Sequence, residues 1–262
     1  MISGKLNGSI TVNIEENGVC GIPVIIGELY GGGNLAAYSI YGYNDNGTVK
    51  TSGDNPHASP VVNVRAFTSI GNIFGGGYGN SAVMVGSPTV NINEAAINHE
   101  DKTNEYQGNQ FSGTNLYFVN SVLNLSITSD PTDMTNVYKV VVPDHTDGKM
   151  GAIGNIYGGG NAAEVQGDTH VNIGTDTEVY VVRPDLTVTD KVKGFYTRSW
   201  NSATKTYDYT LIEDADKTAE EGVNYYQKRD VAGADIRGNV YGGGNEAEVT
   251  GSTNVVVGKK SN

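Results

Sequence analysis

A glycine-rich motif that occurs four times is the feature that most constrains how this chain can fold. The copies read GELYGGGN, GNIFGGGY, GNIYGGGN and GNVYGGGN, and they begin at Gly27, Gly71, Gly154 and Gly238. The similarity continues beyond the glycines, because residues 162–173 match residues 246–257 position by position and residues 81–92 follow the same plan. Recurrence of this kind is the sequence signature of a repeat architecture, in which each copy is one structural unit.

Each copy contains three short strand segments separated by glycines. In the third copy, alternation places Thr169, Val171 and Ile173 on one face of a strand and His170 and Asn172 on the other. Strands this short cannot bury a face alone, whereas stacked coils give every strand a parallel neighbour. The chain has 47 Val and Ile residues against 8 Leu, a ratio that favours strands. We therefore predict an all-β parallel β-helix, or β-solenoid, with coils of about 20 residues.

The repeats divide the chain into cores and insertions. We predict one elongated domain over residues 1–262, with repeat cores at about 4–14, 27–38, 71–92, 154–173 and 238–257. The opening core aligns with only the second half of a copy, which indicates a fragment of a longer repeat protein. Two long insertions, 93–153 and 174–237, contain strand-like runs. These runs could form degenerate coils or projecting hairpins, and we favour degenerate coils.

The glycine, aromatic and asparagine residues that recur in the motif copies have a structural interpretation. A corner between strands needs either positive φ or close backbone approach, and glycine supplies both. The corner glycines of the last two copies are Gly158, Gly159, Gly160, Gly242, Gly243 and Gly244. Stacking of coils predicts an aromatic column of Tyr30, Phe74, Tyr157 and Tyr241. It also predicts an amide ladder of Asn34, Asn161 and Asn245.

The motif resembles the glycine-rich repeats of large bacterial cell-surface proteins of the adhesin-like type. The resemblance covers the four copies and the opening half-copy. It implies a β-solenoid fold, an extracellular location at the bacterial surface and a non-enzymatic structural or binding role. A stalk or adhesive module of this kind would present its loops to a glycan or to a surface protein of a host or neighbouring cell.

Composition and motifs exclude several other classes of function. A formal net charge of −12 and a pI of about 4.7 argue against nucleic-acid partners, which require clustered Lys and Arg. No apolar stretch is long enough to cross a membrane, and the start lacks the layout of a signal peptide. No Gly-Lys-Ser/Thr follows any glycine triplet, so the triplets do not predict a phosphate-binding loop.

Two alternatives use the same scaffold. The first is a polysaccharide-degrading enzyme, a lyase or a glycoside hydrolase, with Glu164 and Glu248 at equivalent repeat positions as candidate catalytic groups. The equivalent residues Ala37 and Val83 are apolar, so this acidic column is not continuous. The second is a spacer or polymer-forming segment, since open solenoid ends are edge strands that favour end-to-end self-association.

The insertions hold the candidate ligand-binding residues. Aromatic side chains beside polar groups are suited to sugar or protein recognition, and the candidates are Phe195, Tyr196, Arg198 and Trp200. The alternative is that these side chains pack the insertions onto the scaffold. No cofactor is expected, with calcium as the exception because oxygen-rich turns contain Asp45, Asp144, Asp147, Asp214 and Asp216. Each of these turns could equally be an ordinary solvated turn.

Overall fold

A computed structural model of the chain describes residues 5–15, 24–67, 69–95, 116–121, 124–128, 137–140, 151–183 and 186–258. All regular elements in these ranges are β-strands, so the prediction of an all-β chain is confirmed there. No helix that could cross a membrane occurs in the same ranges.

Three parallel sheets are built from the repeats. Sheet I contains, in spatial order, β1 (Thr11–Glu15), β4 (Val61–Ala66), β7 (Thr89–Ile92), β14 (Thr169–Ile173) and β21 (Thr253–Val257). Sheet II contains β2 (Ile25–Tyr30), β5 (Ser69–Phe74), β12 (Ala152–Tyr157), β19 (Asp235–Ile236) and β20 (Val240–Tyr241), the last two both pairing with β12. Sheet III contains β3 (Tyr38–Ser39), β6 (Met84–Val85) and β13 (Val165–Gln166).

The chain passes through these sheets in a fixed order, II then III then I, four times. In the fourth pass Val249 pairs with Val165 and takes the sheet III position. Equivalent residues of successive passes are paired in register, so that Val12, Val62, Val90, Val171 and Val255 form one column across sheet I. Repeats that are separated by long insertions are therefore direct neighbours in space.

The inward faces of the sheets form the core. Alternation along β4 and β14 buries every second residue, as the repeat pattern predicts. The main core cluster lies between sheets I and II and contains Val62, Val64, Phe67, Ile70, Ile73, Val90, Ile92, Ile153, Ile156, Val171 and Ile173. A smaller cluster at sheet III contains Tyr38, Met84 and Val165. Each fully buried Val or Ile contributes about 1.5–3 kcal/mol.

The glycine corners allow the backbones of neighbouring coils to approach each other closely. A Cβ added at Gly75 would lie 2.3 Å from the carbonyl oxygen of Gly158, and one added at Gly159 would lie 2.7 Å from the amide nitrogen of Gly244. Positive φ is found instead just after each motif, where Ala162 has a φ of 51°. The equivalent position in the second copy is Gly79, with a φ of 82°. The corners thus need glycine because the next coil leaves no space for a side chain.

The aromatic residues of the motif stack across sheet II. Ring centroids are 4.9 Å apart for Tyr30 and Phe74, 4.7 Å for Phe74 and Tyr157, and 4.9 Å for Tyr157 and Tyr241. All three pairs are close to parallel, with interplanar angles of 8°, 9° and 15°. The column therefore runs through all four repeats and contributes stacking energy at each step.

The amide ladder predicted beside this column forms only in part. Asn245 donates through Nδ2 to Oδ1 of Asn161 at 3.0 Å. Tyr78 stands between Asn161 and Asn34 in the backbone pairing, and Asn161 donates instead to the hydroxyl of Tyr30 at 3.1 Å. The prediction that Asn34 joins the ladder is wrong, because the second copy carries tyrosine at the required position.

The second insertion forms an antiparallel sheet, here called the insertion sheet. Its strand order is β15 (Glu178–Arg183), β18 (Tyr225–Gly233), β16 (Tyr196–Asn201) and β17 (Thr206–Leu211). A short strand, β8 (Glu94–Ala95), pairs with β18. Degenerate coils are therefore the wrong prediction for this insertion, because its strands satisfy their backbone hydrogen bonds with one another.

In the first insertion the described strands also pair antiparallel. They are β9 (Leu116–Ser121), β10 (Asn124–Thr128) and β11 (Val137–Val140), in the order β10-β9-β11. None of the three pairs with a strand of sheets I to III in the described ranges. The projecting-hairpin alternative thus describes these strands better than added coils do.

The glycine corners offer a test with an internal control. Gly159→Ala places a methyl group against the backbone of the next coil and should lower the free energy of unfolding by about 2 kcal/mol or more. Gly243 occupies the same motif position in the last repeat, where a Cβ meets nothing within 4 Å. Gly243→Ala should therefore change stability by less than about 0.5 kcal/mol. Denaturant unfolding measures both, and equal losses would contradict the explanation by close approach.

Candidate functional site

The insertion sheet is fastened to the outward face of sheet I by a buried ion pair. Arg65 on β4 pairs with Glu15 on β1, and their side chains are only 15% and 7% exposed. Arg65 also donates through Nη1 to the carbonyl oxygen of Tyr180 at 3.0 Å. The second carboxylate oxygen of Glu15 accepts a hydrogen bond from the backbone amide of Val182 at 3.1 Å. Both charges therefore hold strand β15 against sheet I.

A ladder of asparagine side chains lies on this outward face. Asn63 donates to Asn13 at 3.0 Å, Asn91 donates to Asn63 at 2.9 Å and Asn172 donates to Asn91 at 2.9 Å. The ladder ends at Val256, the equivalent residue of the last repeat. A carboxamide has two N–H donors and two acceptor lone pairs, and each ladder step uses one of each. Donors and acceptors thus remain for a ligand along this face.

One face of the insertion sheet presents a continuous set of aromatic rings, here called the aromatic belt. Its members are Tyr180, Tyr196, Trp200, Tyr207, Tyr209 and Tyr226. Tyr180 stacks on Tyr209 with centroids 4.0 Å apart. Trp200 meets Tyr207 edge to face at 5.0 Å. Cross-strand pairing of Trp200 with Tyr207 explains the contact, because directly paired residues share a face.

Arg198 lies inside the aromatic belt and links two of its rings. Its guanidinium carbon is 4.2 Å from the ring centroid of Tyr207 and 4.8 Å from that of Tyr226. Cation–π contacts of this kind contribute about 0.5–2 kcal/mol. Tyr226 is 3% exposed, and its burial raises the pKa of its hydroxyl, an effect that the nearby Arg198 partly offsets. Arg198 is therefore a packing element of the belt.

Two adjoining cavities separate the belt from sheet I. The first, the ladder cavity, has a volume of about 300 Å³ and is lined by Asn63, Asn91, Tyr207 and Tyr209 among others. The second, the tip cavity, has a volume of about 430 Å³ and is lined by Gly8, Ser9, Thr11, His57, Trp200, Lys205 and Tyr207. Tyr207 lines both, and we refer to the two cavities together as the groove. Sheet I is its floor and the aromatic belt is its wall.

The four candidate ligand-binding residues of the second insertion do not all lie at the groove. Trp200 lines the tip cavity and is 42% exposed, and Tyr196 and Arg198 belong to the belt or contact it. Phe195 instead packs in a separate cluster with Val192. Phe195 therefore stabilises the insertion and lies away from the groove.

Sequence reasoning missed the floor of the groove and the cationic end of the tip cavity. The floor had a sequence signal, because a Val-Asn-Ile or Val-Asn-Val segment occurs four times and places an asparagine at positions 13, 63, 91 and 172. Lys205 had no such sequence signal, because it lies in a turn of the second insertion, outside the repeats. His57 likewise falls in the loop between β3 and β4.

The candidate catalytic carboxylates lie elsewhere. Glu164 and Glu248 precede the paired residues Val165 and Val249, so the insertions do bring them to adjacent coils. Glu164 accepts a hydrogen bond from Gln166 at 3.0 Å. Neither glutamate lines the ladder cavity or the tip cavity.

In one of the candidate calcium turns, the carboxylates of Asp214 and Asp216 contact a backbone amide and a lysine. Asp214 accepts a hydrogen bond from the amide of Asp216 at 2.8 Å, and the Asp216 carboxylate is 3.5 Å from Lys191 Nζ. Asp45 lies in an exposed turn. Asp144 and Asp147 fall outside the described residues. Within the described ranges, no group of three or more His, Cys, Asp or Glu side chains could hold a metal ion.

Comparison with known proteins identified no relative of this chain. No protein-family model, no curated protein and no solved structure matches the chain.

The ion pair between Arg65 and Glu15 provides a test of how the groove is held together. Arg65→Met leaves the Glu15 carboxylate buried without its cation and should cost about 2–4 kcal/mol. We expect faster hydrogen exchange at Val182, because its acceptor is no longer held in place. Arg237→Met removes a more exposed pair with Asp235 and should have little effect. Unchanged exchange at Val182 in the Arg65 variant would show that the insertion sheet is fastened by other contacts.

Proposed function

We propose that this chain is a β-solenoid segment of a bacterial surface protein that binds polysaccharide, without cleaving it, in the groove between sheet I and the insertion sheet. The solenoid assignment is supported by the fixed order in which the chain passes through three parallel sheets, with equivalent residues in register. In this proposal the repeats supply a stiff scaffold and the second insertion supplies the binding wall.

The observation that carries the proposal is the pairing of an amide ladder with an aromatic wall across one groove. Sugars present hydroxyl groups, which need donors and acceptors, and apolar C–H faces, which pack on aromatic rings. Asn63 and Asn91 offer the first kind of partner, while Trp200 and Tyr207 offer the second. This combination suits a carbohydrate better than it suits an apolar ligand.

The shape of the groove favours an extended ligand. The ladder cavity and the tip cavity lie side by side and share Tyr207, so a ligand that occupies both must be elongated. Their volumes fall at the lower end of the range for small-molecule sites. A stretch of linear polysaccharide, with successive sugar units in the two cavities, matches this arrangement.

Internal contacts hold the walls of the groove in place. Asn201 Oδ1 accepts hydrogen bonds from the amides of Ala203 and Thr204 at 3.0 and 3.2 Å and fixes the turn at the end of β16. Arg198 holds two rings of the belt, and the Arg65–Glu15 pair holds the sheet. Because these groups are already ordered, ligand binding has less conformational entropy to overcome.

The competing functions make different predictions for the same groove. A polysaccharide-degrading enzyme requires carboxylates poised over the bound chain, and a spacer requires no ligand. Two carboxylates line the ladder cavity, but Asp176 is hydrogen-bonded to Asn93 at 2.8 Å and Glu178 is paired with Lys228 at 2.5 Å. These contacts favour a structural role for both acids, and hence binding over cleavage. A glycan or a glycosylated surface protein of another cell would be the natural partner.

Electrophoresis of the chain through native gels that contain polysaccharides tests the proposal. We expect retardation by at least one of cellulose derivatives, xylan, mannan and polyuronates, without any cleared polymer after staining. Trp200→Ala should weaken the retardation about tenfold, since loss of one central aromatic contact costs about 1–2 kcal/mol. Tyr241→Ala is the control, because Tyr241 is 44% exposed, much as Trp200 is, and lies on sheet II.

Three results would count against polysaccharide binding in the groove. Cleared polymer would show an enzyme and direct attention to the carboxylates, beginning with Glu164 and Glu248. Retardation that is equally weakened by the Tyr241 and Trp200 variants would place the ligand elsewhere. If no polymer retards the chain, the remaining functions are a spacer segment without a ligand and a module that binds a protein.

A further inference from the structure

The tip cavity differs in charge from the rest of the molecule. Its titratable lining residues, apart from Tyr207, are Lys205 and His57, and no carboxylate lines it. This is notable because the whole chain carries a formal net charge of −12. Ser9, Thr11 and the Trp200 ring complete the lining. The cavity therefore combines a positive charge, hydroxyl groups and one large apolar surface.

The cation at Lys205 is available to a ligand, whereas the other cations near the groove are engaged. Arg65 pairs with Glu15, Arg198 lies between two rings, and Lys228 pairs with Glu178. Within the described residues, Lys205 takes part in no ion pair. An unneutralised cation beside a cavity attracts an anionic group.

The turn that carries Lys205 is fixed. Its backbone amide donates to the carbonyl oxygen of Asn201 at 2.9 Å, and its φ is 58°, in the left-handed region. The hydroxyls of Thr204 and Thr206 on either side are hydrogen-bonded at 2.7 Å. On the opposite wall the amide of Ala58 donates to Ser9 at 2.9 Å and holds the His57 segment. Both sides of the tip cavity are thus held by hydrogen bonds within the chain.

We infer that the groove selects an anionic polysaccharide, with a carboxylate or sulfate of one sugar unit bound in the tip cavity by Lys205 and His57. The sugar ring of that unit packs against Trp200, and the neighbouring unit continues along the asparagine ladder. This inference rests on the proposed polysaccharide binding and adds the chemical class of the ligand. Since the chain as a whole repels polyanions, such selectivity must come from the local site.

Polymers in matched pairs, alike in backbone but different in charge, provide the test. The pairs are carboxymethylcellulose with hydroxyethylcellulose, polygalacturonate with its methyl ester, and dextran sulfate with dextran. We expect the intact chain to be retarded in native gels by the anionic member of at least one pair and much less by its neutral partner. The first two pairs report on carboxylate and the third on sulfate.

Variants then assign the selectivity to Lys205. Lys205→Gln should weaken binding of the anionic polymer about tenfold and leave binding of the neutral partner unchanged. Lys205→Arg should retain binding, because it keeps the charge. Lys193→Gln is the control for net charge, since Lys193 is exposed and lines neither cavity.

The outcomes separate this inference from the proposed function. Equal retardation by both members of every pair that binds would overturn the inference and leave polysaccharide binding intact. Equal losses in the Lys205→Gln and Lys193→Gln variants would also overturn it, because the effect would then be one of net charge. If no polymer of either charge binds, the proposed function fails and the inference fails with it.

Discussion

The backbone-to-backbone approach of successive repeats at the glycine corners is the constraint on which the rest of the structure depends. A Cβ at Gly75 would lie 2.3 Å from a carbonyl oxygen in the adjacent coil. Such contact favours the observed register between coils, together with the alternating burial of the strands. Once the register is fixed, every repeated residue becomes part of a column, and the hydrophobic core, the aromatic column and the asparagine ladder all follow from it.

The repeats and the second insertion contribute different parts of the groove. The repeats build a rigid outward face on sheet I, where the amide ladder runs from Asn13 to Asn172. Strands β15 to β18 leave the stack, form their own antiparallel sheet and return against that face. The repeats thus supply the floor of the groove and the insertion supplies its aromatic wall and its cation.

The repeat determined how much could be predicted from the sequence. The all-β class, the alternating burial of β14 and the stacking of Tyr30, Phe74, Tyr157 and Tyr241 follow from aligning the copies. The insertion sheet could not be predicted, because a strand-like run does not specify its partner strand. Its contacts with sheet I include hydrogen bonds with Glu15 and Arg65, which lie far from it in sequence. Trp200 and Phe195 were predicted together as ligand-binding residues; Trp200 lines the tip cavity, whereas Phe195 packs in a cluster with Val192 that forms only in three dimensions.

Disulfide formation between neighbouring repeats tests the stacking most directly. Thr89 and His170 are paired on adjacent strands although an insertion separates them, and Asn254 lies one strand further. In a Cys20→Ser background, Thr89→Cys with His170→Cys should oxidise readily, because adjacent strands are about 4.8 Å apart. Thr89→Cys with Asn254→Cys, about two strand spacings apart, should not. Failure of the first pair to cross-link would mean that coils lie between these repeats, and it would contradict the stacked scaffold on which the groove depends.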